Sequence, residues 1–202
     1  MDIPGGKRIV HAISIGSPKN IHYTYDLENG GLVQVWRGNF LDGTPMWYSR
    51  GDGSSRPLGT VQYFGNPVSV LSKLNNADAE WTIDSALANY TPQGYRLDKT
   101  DLPTFQYLMY GAQVEDAIIP MEKGEGFKRE ITLKNSPGNI YLRLAVGTGI
   151  EAIGSNMYTI NDKAYYIRID DAGSAKPVIR YNNAGKELII PVGTKITYSI
   201  LF

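Results

Sequence analysis

The stretch that most restricts the fold of this chain is Ile21–Arg37. Ile21, Tyr23, Tyr25 and Leu27 alternate with His22, Thr24 and Asp26, and Glu28-Asn29-Gly30-Gly31 separates them from a second run, Leu32–Arg37. Period-two alternation is a strand signal, and Asn and Gly tolerate the positive φ of a tight hairpin turn, so the segment predicts a β-hairpin. Its first arm turns the Ile, Tyr and Leu side chains inward and His22, Thr24 and Asp26 outward. Its second arm puts Trp36 on the face of Leu32 and Gln34, opposite Val33 and Val35.

The same logic recurs along the chain. Ile9–Ile15 reads as a strand with Ile9, His11, Ile13 and Ile15 on its more apolar face. Gly94–Asp98 and Pro103–Tyr107 form a hairpin about Lys99-Thr100-Asp101, and Gln113–Ile119 is a further strand. Gly126–Leu133 sets Phe127, Arg129, Ile131 and Leu133 on one face, and Ile140–Val146 turns Ile140, Leu142, Leu144 and Val146 inward. A meander follows through Tyr158–Ile160, Tyr165–Ile169, Pro177–Tyr181, a turn at 182–185, Glu187–Val192 and Lys195–Phe202. Val68–Asn89 has no decisive period: short strands near Val68 and Trp81 fit, and so does a short helix capped by Asp84. Many short strands without βαβ spacing predict an all-β fold. The expected architecture is one large antiparallel β-sandwich over residues 1–202, mutarotase-like or jelly-roll-like, with at most one or two short helices.

Charge and composition narrow the function. Lys+Arg and Asp+Glu are both 20, so no net charge draws the chain to a nucleic-acid backbone. With no cysteine there are no disulfides, thiolate metal sites or cysteine nucleophiles, and two histidines alone make no metal signature. No apolar run approaches the roughly 18 residues of a membrane span, and the N-terminus shows no signal-peptide pattern. The early start of strand-like sequence reads as a module of a longer protein. No cofactor or metal is expected.

The residues best suited to contact a ligand lie in Gly38–Gly65, read as a long polar loop. Asp42, Trp47, Tyr48, Arg50, Asp52 and Arg56 crowd there with Gly43, Gly51, Gly53 and Gly59. Arginine forks and carboxylates bind hydroxyls or carboxylates, aromatic rings stack on the apolar faces of sugars, and glycine lets backbone approach a ligand closely. The competing reading is an internal clasp, with Trp47 as anchor and the charges paired among themselves. His11 reads as a core histidine. His22, outward beside Thr24 and Asp26, is the one histidine suited to acid–base chemistry, as in a mutarotase- or lyase-like sugar enzyme that holds its substrate with Arg50 or Arg56. Glu115-Asp116 and Glu122/Glu125 are candidate carboxylate pairs, but neighbours in a strand point to opposite faces, and solvated charge is the simpler reading. No G-x-S-x-G elbow, calcium loop or phosphate loop is present.

Three stretches carry a resemblance across nearly the whole chain: GGKRIVHAISIGSPKNIHYTYDLENGGLVQVWRGNFLDGTPMWYSRG, GYRLDKTDLPTFQY followed by VEDAIIP, and the ending KELIIPVGTKITYSILF. They resemble a β-rich module of large secreted bacterial proteins that also carry c-type cytochrome and sorbosone/PQQ-dehydrogenase-like domains. The resemblance implies an extracytoplasmic setting, neighbouring redox domains as partners and an accessory role; it transfers no functional residues. No C-x-x-C-H is present, so this module cannot attach haem covalently. The expected function is a non-catalytic accessory module that binds carbohydrate or organises its neighbours.

Overall fold

The hairpin read from Ile21–Arg37 is the centre of a four-stranded sheet. The computed structural model describes residues 1–51, 53–65, 68–81, 86–182 and 185–202, with the side chains of 49 and 50 excepted. Strands β1 (Ala12–Ile15), β2 (Ile21–Asp26), β3 (Gly31–Asp42) and β4 (Arg56–Tyr63) pair in that order. Gly30, at φ +66°, makes the β2–β3 turn, and both Asp26 carboxylate oxygens accept hydrogen bonds across it, from the Glu28 amide and the Asn29 side chain.

Twelve more strands complete the described chain: β5 (Leu71–Lys73), β6 (Thr91–Leu97), β7 (Pro103–Met109), β8 (Ala112–Pro120), β9 (Gly126–Lys134), β10 (Ile140–Gly147), β11 (Ile150–Ala152), β12 (Met157–Ile160), β13 (Tyr165–Asp171), β14 (Val178–Asn182), β15 (Gly185–Pro191) and β16 (Lys195–Leu201). They form a second four-stranded sheet, β14-β15-β10-β5, and an eight-stranded sheet, β11-β12-β13-β16-β9-β8-β7-β6. All strand pairs are antiparallel, and one 3-10 turn over Thr44–Gly51 is the helical element of the described residues. The all-β antiparallel sandwich expected from the sequence is what forms. β5 and β11 carried no readable pattern.

The large sheet is one layer, and the two small sheets share its inner face. Ile21, Tyr23, Tyr25 and Val35 of the first sheet pack on Phe105, Ile118 and Phe127. Leu71, Leu142, Leu144, Leu188 and Ile190 of the second pack on Met109, Val114, Ile131, Ile196 and Tyr198. The outer face of the large sheet is solvent-facing, with Glu115 paired to Lys134 and Lys195 to Glu130.

The small sheets are covered outside as well, and this overturns several expectations. Ile3 and Ile9 lie on Val33, so the outer face of the first sheet is buried: His22, Thr24, Asp26 and Gln34 are all below 5% exposed. Ile9 belongs to this covering segment, since β1 begins only at Ala12. A bulge pairs Thr24 with Gln34 and Tyr25 with Leu32, leaving Val33 unpaired. Leu32 therefore turns inward and Trp36 does not share its face. A second bulge in β10 brings Ala145, in place of Val146, into the core.

Candidate functional site

Gly38–Gly65 is mostly regular structure, which corrects the long-loop reading. β3 and β4 stay paired from Gln34↔Tyr63 out to Asp42↔Arg56. Close backbone crossing makes this arm possible: a Cβ on Gly59 would lie 1.7 Å from the Arg37 carbonyl oxygen, and one on Gly53 would lie 1.5 Å from that of Pro45. Those two glycines serve the chain's own packing, whereas nothing lies within 4 Å of a Cβ on Gly43. A bulge at Phe40 is held by the Trp36 indole N–H, which donates to the Asn39 and Phe40 carbonyls.

The tip is the 3-10 turn. The Thr44 amide donates to Asp42 Oδ1 at 2.9 Å. The Thr44 hydroxyl and amide, and then the Arg56 charge, hold the Asp42 carboxyl below the usual carboxylate range. Trp47 is 86% exposed and Tyr48 65%, so Trp47 is no buried anchor and the clasp reading fails there. Gly43, Met46, Trp47 and Gly51 line a shallow recess. Of the expected ligand-contacting residues, Asp42, Trp47, Tyr48 and Arg56 gather at this end of the hairpin. Asp52 and the side chain of Arg50 lie outside the described residues, as does the expected helix cap Asp84.

The two histidines exchange the roles expected of them. His11 is exposed and pairs with Glu28 at 2.6 Å. His22 is buried against Trp36 and Phe40. The Ser17 amide must donate to His22 Nδ1 (3.1 Å) and the Gly38 carbonyl must accept from Nε2 (2.9 Å), which fixes the Nε2–H tautomer and occupies both nitrogens. His22 lies opposite Trp36 and Arg56 opposite Asp42, six residues or about 20 Å further along the arm. The structure therefore does not bring the histidine and the arginine together. Their positions along the ladder separate them, and the cover of Ile3 and Ile9 is what takes His22 out of solvent.

Glu115 and Asp116 do face opposite ways, but Asp116 is not solvated. It is fully buried and bonded to Arg129 through Nε (2.9 Å) and Nη2 (2.6 Å), while the Tyr25 hydroxyl donates to its Oδ2 at 2.9 Å. Arg129 Nη1 also donates to the Tyr198 hydroxyl. Burial, followed by the Asp116 charge, pushes the Tyr25 hydroxyl well up, so it stays a donor. Glu122 pairs with Lys19 at the surface, and Glu125 accepts the Lys123 amide.

A larger feature lies where the two small sheets meet above the large one. A cleft of about 890 Å³ is walled by Leu32 and Phe64 on one side and by Val70, Arg143 and Leu144 on the other. Arg129, Ile167, Tyr198 and Ile200 form its floor, and Asp78, Glu80, Trp81 and Tyr181 its rim. The segment around Leu74–Trp81 covers the outer face of the second small sheet, where Leu74 and Trp81 pack on Ile189. Trp81 is 7% exposed and donates from its indole N–H to the Ser69 carbonyl. Arg143 lies over its ring at 4.6 Å and Arg180 at 5.9 Å.

Both guanidiniums meet the buried Glu187 unequally. Arg180 contacts Glu187 Oε1 through Nε at 2.7 Å and Nη2 at 2.6 Å, and its Nη1 donates to the Ala77 and Ala79 carbonyls. Arg143 reaches Glu187 Oε2 and the Ser69 carbonyl at 3.4 Å each. Burial draws the Arg143 guanidinium below its usual range, opposed by Glu187 and reinforced by Arg180.

Sequence reasoning missed this cleft, although signals existed. Arg129 alternates with Phe127 and Ile131 on an apolar face, and Arg180 and Glu187 stand opposite each other where β14 pairs with β15. Nothing in the alternation showed that Leu74–Trp81 would cover Arg143. Among the described residues no three His, Asp or Glu side chains converge as metal ligands, and no helix is long and apolar enough to cross a membrane. Comparison with protein-family models and with curated protein sequences yields no match.

Proposed function

We propose that this chain is a non-catalytic carbohydrate-binding module of a secreted multidomain protein, with the β3–β4 tip as its binding site. One observation carries the reading: Trp47, 86% exposed, stands at the edge of a glycine-lined recess on a braced hairpin. An exposed indole loses little on desolvation and offers a flat apolar face to the C–H face of a sugar ring. Tyr48, Asp42 and Arg56 supply hydroxyl, carboxylate and guanidinium groups for sugar hydroxyls. The β3–β4 ladder and the Trp36 bonds to the bulge hold the arm in place, which reduces the ordering cost of binding. The occupied nitrogens of His22 and the separation of Glu115 from Asp116 support a binding role over a catalytic one. The extracytoplasmic setting and the neighbouring redox domains rest on the sequence resemblance.

Calorimetric titration against soluble plant, algal and bacterial polysaccharides tests the proposal. The expected result is binding to at least one neutral glycan, weakened at least about tenfold by Trp47→Ala. Silence across the whole panel, or binding that Trp47→Ala leaves unchanged, overturns it.

A further inference from the structure

We infer that the cleft between the two small sheets binds an organic monocarboxylate with an apolar body, anchored by Arg143. This goes beyond the carbohydrate reading, since the cleft and the hairpin tip are separate places. Two guanidiniums, each 9% exposed, share one carboxylate, so the buried group carries one surplus positive charge. Arg180 commits short hydrogen bonds to Glu187 and two carbonyls, while Arg143 holds its acceptors at 3.4 Å and lines the cavity. A buried charge with stretched partners gains most from a carboxylate, which accepts a guanidinium fork through two oxygens.

The surroundings define the rest of the ligand. Val70, Leu144, Ile167 and Ile200 present apolar side chains to a cavity of about 890 Å³, within the range that holds drug-sized molecules. Asp78 and Glu80 are exposed at the rim, and a phosphate or polycarboxylate would meet their repulsion on entry. A single carboxylate can pass that rim with its charge directed at Arg143. An aromatic or branched aliphatic acid fits the walls better than a polyol, which would leave hydroxyls unpaired there.

The test uses the whole chain carrying Trp47→Phe, so that changes in tryptophan emission report Trp81 and Trp36. 4-Phenylbutyrate, its amide 4-phenylbutyramide and inorganic phosphate are titrated separately. The acid is expected to change the emission and to bind at least tenfold more tightly than the amide, with phosphate silent up to the same concentrations. Arg143→Gln is expected to erase the preference for acid over amide. Val70→Phe, which fills the cleft without touching the charges, is expected to abolish binding of both. Circular dichroism melts confirm that each variant is folded; if Arg143→Gln is not, Arg143→Lys replaces it and is expected to cut the preference at least threefold. Equal binding of acid and amide, phosphate binding as tight as the acid, no binding of any probe, or full preference in the folded Arg143 variant overturns the inference. A glycan titration of the native chain is unaffected by all of these outcomes, so the two proposals fail independently.

Discussion

At the hairpin tip Trp47 is 86% exposed on a 3-10 turn, whereas at the cleft Trp81 is 7% exposed beneath two guanidiniums. The first ring stands on the turn beyond the last paired residues, Asp42 and Arg56, and packs on little. The second joins Leu74 and Ile189 and gives its N–H to Ser69, so it fastens a patternless segment to a sheet. Polar groups divide the same way: Asp42 at the tip is only half-buried, and Glu187 at the cleft is 1% exposed. A surface that presents an aromatic ring to solvent and an interior that stores charge can therefore both be built on hairpin arms.

The largest effect should come from the cleft floor. Asp116→Ala leaves Arg129 buried without its carboxylate and should cost about 3–5 kcal/mol in denaturant unfolding. A loss comparable to a surface substitution would mean that the pair carries no structural weight. Trp81→Ala, which removes both the packing and the ring beneath Arg143, should cost about 3 kcal/mol. Gly59→Ala forces a methyl against the Arg37 carbonyl and should cost about 1–3 kcal/mol, while also weakening any ligand at the tip. Binding at the tip unaltered by Gly59→Ala would show that the arm's register does not position the site.

Trp47→Ala should shift stability by no more than about 0.5 kcal/mol, in contrast to Trp81→Ala. A loss similar to that of Trp81→Ala would restore the clasp reading. The smallest effect concerns pH. A depressed carboxyl value gives stabilisation that is present above the unfolded value of about 4 and is lost as pH falls through the lower folded value. The Thr44 amide resonance should therefore titrate with a midpoint below about 4, and the tip turn should loosen only in strong acid. A midpoint at the ordinary aspartate value would show that the Thr44 contacts do not hold Asp42.

Much of the architecture was legible in the sequence, because alternation and turn residues act locally. The β2–β3 hairpin, the inward row of β9 and the meander from Tyr158 onward all follow from side chains pointing alternately across a strand. Asp42, Trp47, Tyr48 and Arg56 were likewise legible as a group, since one hairpin end gathers them. Their setting was not: the glycine-rich composition suggested a loop, where Gly59 and Gly53 in fact allow two backbone segments of the chain to approach closely.

Alternation set most of the face assignments, whereas packing between distant segments decided which of those faces meet water. Alternation assigned His22 to the polar face of β2, yet that face is covered by Ile3, which no strand pattern includes, and by Ile9, which the alternation places in the first strand. Arg143 was assigned outward from β10, and Trp81 covers it. Bulges in β3 and β10 shifted single residues across the sheet without a composition signal. Local sterics set the period of a strand, but burial of its second face depends on segments far away in the chain, and no period encodes their arrival.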